Sequence, residues 1–326
     1  MTTLPAPTAA VVRPDAEDTP IPRAKAEAAA EFEPLPLGQR VVNLIFILVP
    51  LCALVWAVVY AWGRGVGWTE LGLMFGFYIL TGFGITVGYH RLFTHKSFRT
   101  GKIMTTIFGV LGSMASEGPI LTWVANHRCH HQHSDNDQDP HSPHSHGSGF
   151  KGLVKGFFMS HMGWLVFGKR RDLHRYVPDL EADPLVSMLS RTFLVWMALS
   201  LLLPGVIGGL ITMSWWGALM GFVWGGLIRI AVVHHITWSV NSVCHIWGSR
   251  PFESRDESRN NAIVGVLALG EGWHNNHHAF PTSARHGLKW WQFDSSYLLI
   301  KGMQKLGLAW DIKVPSAERM AKKAIA

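Results

Sequence analysis

The sequence predicts an all-α membrane protein in which four transmembrane helices, arranged as two hairpins, carry a cytoplasmic helical cap with a histidine-rich metal site. Three observations lead there. Four apolar stretches approach the roughly 20 residues that a helix needs to cross a bilayer. Three short histidine clusters each follow an apolar stretch, and the basic residues gather on one side of that pattern.

The spans are read at residues 41–62, 71–89, 193–213 and 215–233. Pro204 and several glycines interrupt the third, which membrane helices tolerate when neighbours satisfy the freed backbone groups. The connection from Gly63 to Glu70 is short and that between the last two spans is almost absent, so each pair is a hairpin. Two hairpins return the chain to its starting side, and all three clusters then share one face. The segment between the hairpins carries Arg91, Lys96, Arg99, Lys102, Arg128, Lys151, Lys155, Lys169, Arg170, Arg171 and Arg175, whereas the hairpin turns hold only Arg64. The positive-inside bias makes that face, and both termini, cytoplasmic. Residues 103–124 are apolar as well, but Glu117 and Pro119 interrupt them and another crossing would part His90 and His95 from His127. An interfacial helix is expected there. Arg229 reads either as an anchor reaching towards the interface or as a paired buried charge supporting the site.

With 48% hydrophobic residues, 16% charged residues and 15 tryptophans in 326 residues, the chain is greasier than a soluble protein and long enough for one large domain or two ordinary ones. Its net charge of +7 comes without any nucleic-acid signature, so a lipid membrane is the partner and nucleic acid is not. Cys52, Cys129 and Cys244 form no Cys-x-x-Cys pair, which argues against a disulfide scaffold and fits a reducing compartment. Residues 1–38, rich in Ala, Pro and Glu, are expected as a disordered cytosolic tail, 39–312 as the membrane domain and 313–326 as a C-terminal tail.

The clusters are His90-Arg-Leu-Phe-Thr-His95, His127-Arg-Cys-His130-His131 and His274-Asn-Asn-His277-His278, and they hold eight of the chain's 18 histidines. Neutral imidazole suits iron, zinc, copper and nickel rather than magnesium or calcium. On a helix, residues four apart share a face and a neighbour is turned by about 100°. His127 and His131 can therefore share one metal, as can His274 and His278, while His130 and His277 point elsewhere. The spacing favours a dinuclear site. His90 and His95 are five apart, about 140° around an ideal helix, so the helix is expected to end between them or to bend. His133, His144 and His146 lie in a Ser-, Gly- and Pro-rich loop and are read as solvated, and His234 and His235 at the membrane boundary stay outside the ligand set.

At these residues the chain resembles the integral-membrane fatty acyl desaturases, most closely the acyl-CoA delta-9 (stearoyl-CoA) type in its bacterial form. The resemblance rests on Gly88-Tyr-His-Arg-Leu-Phe-Thr-His95, Asn126-His-Arg-Cys-His-His131 with Asp135 following, and Gly270-Glu-Gly-Trp-His-Asn-Asn-His-His278. Asp139-Pro-His141, His161-Met-Gly-Trp164, Leu180-Glu-Ala-Asp-Pro184 and Thr237-Trp-Ser-Val-Asn-Ser-Val-Cys-His245 add to it, in order, over residues 71–281. What the resemblance implies is a non-haem di-iron centre. Carried over position by position, His90, His95, His127, His131 and His277 would hold one iron, and His130, His245, His274 and His278 the other, with Asn241 acting through a bound water. Glu271 and Asp135 would orient imidazoles from behind.

The implied reaction uses dioxygen and two external electrons to insert a cis double bond into a saturated acyl chain carried on coenzyme A. The chain has no segment for haem or flavin and no four-cysteine ferredoxin set, so a ferredoxin- or cytochrome-type donor with an NAD(P)H reductase is expected. Trp123, Trp164, Trp238 and Trp273 adjoin the clusters and are candidates to line an acyl tunnel, although core packing or an interfacial belt explains each singly as well. Lys151, Lys155, Lys169, Arg170 and Arg171 are candidates for coenzyme A phosphates, with lipid headgroups as the competing reading. A membrane di-iron hydroxylase, or a desaturase of another lipid, is the alternative enzyme. A membrane metal transporter is the non-enzyme alternative, and it would want polar ligands within the spans.

Overall fold

The computed structural model describes residues 34–169, 172 and 174–325. Residues 1–33 of the expected tail, and Arg170 and Arg171, lie outside the described residues. Four helices are long and apolar enough to cross a membrane: Leu37–Ala61, Trp68–Thr94, Phe193–Thr212 and Trp215–Ile246. They are the first to fourth spans below. The second and fourth run past the ends that hydropathy marks, beyond 89 to Thr94 and beyond 233 to Ile246. Hydropathy fades where histidines and asparagine begin, but the backbone ladder of a helix is indifferent to that change. The overrun is what carries His90 and His245 inward.

Between Gly84 and Thr94 the second span widens into a π-helix, closed by the His95 amide donating to the His90 carbonyl at 3.1 Å. Such i→i+5 turns stack residues five apart and recur at functional sites. The helix ends at Thr94, just short of His95, and the wide turn rather than a bend brings the two rings together. Gly84 and Gly88 allow this stretch to touch the helix Lys102–Met114: a Cβ on Gly84 would meet the Leu111 and Gly112 backbone at 2.2 Å. At 13 residues, Lys102–Met114 is too short to cross a bilayer. It packs on the second and third spans and leaves Ile103 and Ile107 exposed.

The last two spans form a tight hairpin on small residues, as membrane helices do when backbones approach closely. A Cβ on Gly208 would meet the Gly217 carbonyl at 2.5 Å and Gly221 at 3.1 Å. Of its two expected roles, Arg229 does not take that of an anchor reaching towards the interface; it is a buried charge, held by hydrogen-bond acceptors instead of a charged partner. It is fully buried, and its guanidinium donates to the carbonyls of Met114 at 2.9 Å, Gly225 at 3.1 Å and Ser200 at 3.2 Å and to the Ser200 hydroxyl. Met114 ends its helix, where the carbonyls carry partial negative charge, so backbone dipoles stand in for a charged partner. Residues beyond 312 are docked on the cap: the helix Ala317–Lys323 is followed by an Ile325 amide donating to Pro251, and Lys323 Nζ donates to the Ala279 carbonyl at 2.7 Å.

The two-hairpin arrangement predicts that a cysteine placed at Gly65 is labelled by an impermeant reagent from outside the cell and one at Gly147 is not. Equal labelling of both positions from outside refutes it.

Candidate metal centre

The ring nitrogens converge in two groups. His90, His95, His127, His131 and His277 bring one donor atom each within 4.8 Å of one another, and so do His130, His245, His274 and His278. Four elements supply them. The wide turn of the second span gives His90 and His95, and the helix Ile120–His133 turns His127 and His131 to the first group and His130 to the second. The last turn of the fourth span gives His245. The helix His274–Ala279 gives His274 and His278 to the second group and His277 to the first. This third cluster follows the six-residue helix Ala262–Leu267 rather than a membrane span, which corrects the sequence expectation of a long apolar stretch just before it.

Within the first group, Nε2 of His277 lies 3.1 Å from that of His90 and 2.9 Å from that of His131, which in turn is 3.0 Å from His127 Nε2. In the second, His274 and His245 are 3.1 Å apart through Nε2, and His130 and His278 3.4 Å. Adjacent ligands on a metal with bonds of about 2.1 Å are separated by about 3 Å. The far side of the rings fixes how these contacts must be read. His90 Nδ1 meets Glu271 at 2.6 Å, His130 Nδ1 meets Asp139 at 3.0 Å, His245 Nδ1 meets Asp135 at 3.0 Å and His278 Nδ1 meets Asp256 at 2.5 Å. A carboxylate there accepts a hydrogen bond from Nδ1–H, which keeps the proton on Nδ1 and leaves Nε2 with a bare lone pair. In the His130–His278 pair both rings are backed in this way, and lone pairs aimed at one another at 3.4 Å repel unless a cation lies between them, so the donor set fits bound metal.

Electrostatics agree. Burial foremost holds His127, His131, His274 and His277 well below the usual histidine range, which keeps the imidazoles neutral and ready to bind a cation. Burial by itself would raise the carboxyls, but the His245 hydrogen bond overrides it and brings Asp135 down to about 2. Against the same burial, Arg91 holds Glu271 well below the carboxylate range.

Several residues enter that the sequence did not single out for this role. Arg91 had been counted among the positive-inside charges, yet it is fully buried and clamps Glu271 at 2.5 Å and Asp294 at 3.1 Å. Arg128 is likewise buried, bonded to Asp179 at 2.6 Å. Asp256 sits in an irregular loop with no motif around it, and His286 reaches within 3.3 Å of Glu271. His144 is not simply solvated, because its Nε2 donates to the His245 carbonyl at 2.9 Å. His133 and His146 are partly buried.

A cavity of about 450 Å³ reaches the site, the size of a small-molecule pocket. Phe46 and Ile47 of the first span and Phe193 and Leu194 of the third lie along it, and His90, His127, His274 and Asn241 meet it at the metal groups. Of the four expected tryptophans, Trp123, Trp164 and Trp238 line it. Trp273 does not: it is buried against Gly265 and Trp291, with its Nε1 donating to the Phe293 carbonyl at 2.8 Å. Lys151, Lys155 and Lys169 are exposed and stand apart from the lining. Glu117 lines the cavity too, accepting from Trp123 Nε1 at 2.9 Å, and Trp123 stacks on His127 at 5.1 Å between ring centroids. Burial pushes the Glu117 carboxyl up to about 7, with the Trp123 and Thr237 hydrogen bonds opposing.

Two apolar hairpins, converging imidazoles and an apolar cavity define a membrane-embedded metalloprotein acting on a hydrophobic substrate. The chain belongs to the fatty acid desaturase family, whose profile matches residues 66–310. It is 42% identical over 285 residues to a hex-5-enoyl acyl-carrier-protein acetylenase of Moorena producens, covering 87% of this chain and 89% of that one. Over 261 residues it is 41% identical to an sn-1 stearoyl-lipid 9-desaturase of Synechocystis sp. (79% and 76% covered). It is also 39% identical over 254 residues to an acyl-CoA C20 Delta5-desaturase of Anemone leveillei (76% and 75%). The protein is thus an oxidoreductase of the fatty acid desaturase family, which is di-iron.

Asp256→Asn and Asp139→Asn remove the groups that hold two imidazole tautomers, so each is expected to lower metal affinity by about 10–100-fold, read as metal per chain after dialysis against a chelator. Unchanged metal retention in both counts against the tautomer argument. Glu117 is neutral below about pH 7 and ionises above it. An ionised carboxylate in the cavity wall opposes entry of an apolar chain, so product formation is expected to fall as pH rises through that value, and Glu117→Gln, which cannot ionise, is expected to flatten this limb. A limb that persists in Glu117→Gln assigns it to another group.

Proposed function

We propose that the protein inserts a cis double bond, at the delta-9 position, into a saturated fatty acyl chain, drawing two electrons from an external ferredoxin- or cytochrome-type donor. The observation that carries this reading is the meeting of two carboxylate-backed imidazole groups with the inner end of an apolar cavity. In it, His90, His95, His127, His131 and His277 hold one iron, His130, His245, His274 and His278 the other, and Asn241, which faces the cavity, positions a bound water. Two irons with dioxygen supply the power to take hydrogen from an unactivated methylene.

The chain's own residues do the rest. Trp123, Trp164 and Trp238 exclude water and hold one pair of methylenes beside the site, so that positioning rather than reactivity selects the bond. Glu271, Asp135, Asp139 and Asp256 keep Nδ1 protonated and the rings fixed. The delta-9 position is favoured by the resemblance and by the name of the Synechocystis relative. Coenzyme A is the carrier that the resemblance implies, while the relatives' names also include acyl-carrier protein and lipid. Arg191 is the one lysine or arginine in the cavity lining among the described residues. The remaining exposed cations, such as Lys96 and Lys102, support a cytoplasmic site. A hydroxylase is the competing chemistry on the same framework and would yield an alcohol.

Lipid analysis of a host expressing the chain, with double bonds located by fragmentation, is expected to show a new cis-delta-9 alkene. An alcohol, or no new product, rejects the reading, and the same host membranes supplied with acyl-CoA, acyl-carrier protein or phospholipid substrates identify the carrier. His245→Ala is expected to lose both iron and product. Asn241→Ala should keep most iron and lose product by about 10–100-fold, and an active His245→Ala enzyme removes that ligand from the scheme.

A further inference from the structure

The helix Ala262–Leu267 has the sequence AIVGVL, apolar at every position, yet only one side of it is used for packing. Val264 and Ala268 join Val240 and Cys244 at the end of the fourth span in a small core. Ile263, 73% exposed, and Val266, 51% exposed, face outward. Beside them the segment Lys289–Phe293 turns out Trp290, 92% exposed, with Trp291 and Phe293 about half exposed. Trp290 alone presents most of the roughly 150–250 Å² that an aromatic side chain can bury. Buried Trp273 joins the two segments, packed edge-on to Trp291 at 5.4 Å and against Gly265. Ile263, Val266, Trp290, Trp291 and Phe293 thus form an exposed apolar set outside the four spans, linked through Trp273, of the kind that marks an interaction surface.

What covers this face is indicated by its neighbour. Tyr78 of the second span donates its hydroxyl to the Leu267 carbonyl, and Leu269 fills the space beside Gly82, where a Cβ would meet it at 2.8 Å. Phe75 and Ile79, one turn apart on the same stretch of that span, are exposed apolar residues of a membrane helix. The face therefore continues the lipid-contacting surface of the second span. Its composition matches that position, since tryptophan concentrates at membrane interfaces and a basic residue, Lys289, stands exposed at its edge where anionic headgroups lie.

We propose that Ala262–Leu267 and Lys289–Phe293 form an anchor embedded in the headgroup and acyl boundary of the leaflet next to the metal centre, with the lipid surface as its partner. The anchor is coupled to the site through a short path. Leu269 and Gly270, both at positive φ, turn the chain from the helix to Glu271, and Trp273 precedes His274. Seating this face in lipid fixes the depth of the third histidine cluster relative to the acyl chains.

The test uses the full chain in phospholipid vesicles, in a Cys52→Ser background, since Cys129 and Cys244 are buried. Nitroxides are placed by Val266→Cys, Trp290→Cys and, as an exposed reference on the helix Ala317–Lys323, Lys322→Cys. Ile263→Cys replaces either test position if that variant loses its metal, which reports folding. The labels on the apolar face are expected to collide several-fold more with oxygen than with a water-soluble nickel chelate, relative to Lys322→Cys. Chelate access equal to that at Lys322 overturns the proposal. Shielding that arises only when a soluble electron donor is added overturns it too, and assigns the face to a protein partner.

Discussion

The metal centre answers to one electrostatic constraint: imidazoles whose protons are held on the far side point bare lone pairs inward, and such lone pairs repel one another unless cations lie between them. Carboxylates at the outer nitrogens of His90, His130, His245 and His278 impose that orientation. Holding such a set together before metal arrives requires a rigid frame. The frame is built from helix ends: the overrun of two spans, one wide π turn and two shorter helices, each bringing histidines to the centre from a different direction.

Rigidity of this kind rests on buried charge, which is costly to remove from water and tolerable only when fully hydrogen-bonded. Arg91 meets two carboxylates and two carbonyls, so every part of its guanidinium is used. Arg128 ties the end of the second span to the Tyr176 carbonyl and Asp179. Arg229 solves the same problem without a carboxylate, through carbonyls and the Ser200 hydroxyl, at the point where a helix C-terminus meets the third and fourth spans. Removing one partner from any of these leaves an uncompensated buried group, which is more damaging than losing the pair together.

The cavity and the lipid-contacting surfaces give the frame its purpose. The cavity runs between membrane helices and meets both metal groups, so a hydrophobic chain can reach them away from bulk water. Polar side chains, including Asn43, Ser190, Thr237 and Asn241, also line that space. Among them Glu117 stands out, because it joins the cavity wall to the tryptophan stacked on His127.

Read alone, the sequence determined the helical class, the four spans and the three histidine clusters, because hydropathy and residue spacing are local properties that survive without a fold. Spacing on a helix also separated His127 and His131 from His130. Only the tertiary structure decided which distant groups complete the site. Asp256 meets His278 across a loop whose length and composition carry no periodic signal, and Asp135, already expected behind an imidazole, has its partner, His245, assigned only by the fold. Arg91 and Arg128, which local sequence cannot tell from surface cations, are buried because segments distant in sequence close over them. Trp273 illustrates the opposite error: adjacent to a cluster in sequence, it packs away from the cavity, since direction in space follows from the turn at Gly270 and not from proximity along the chain.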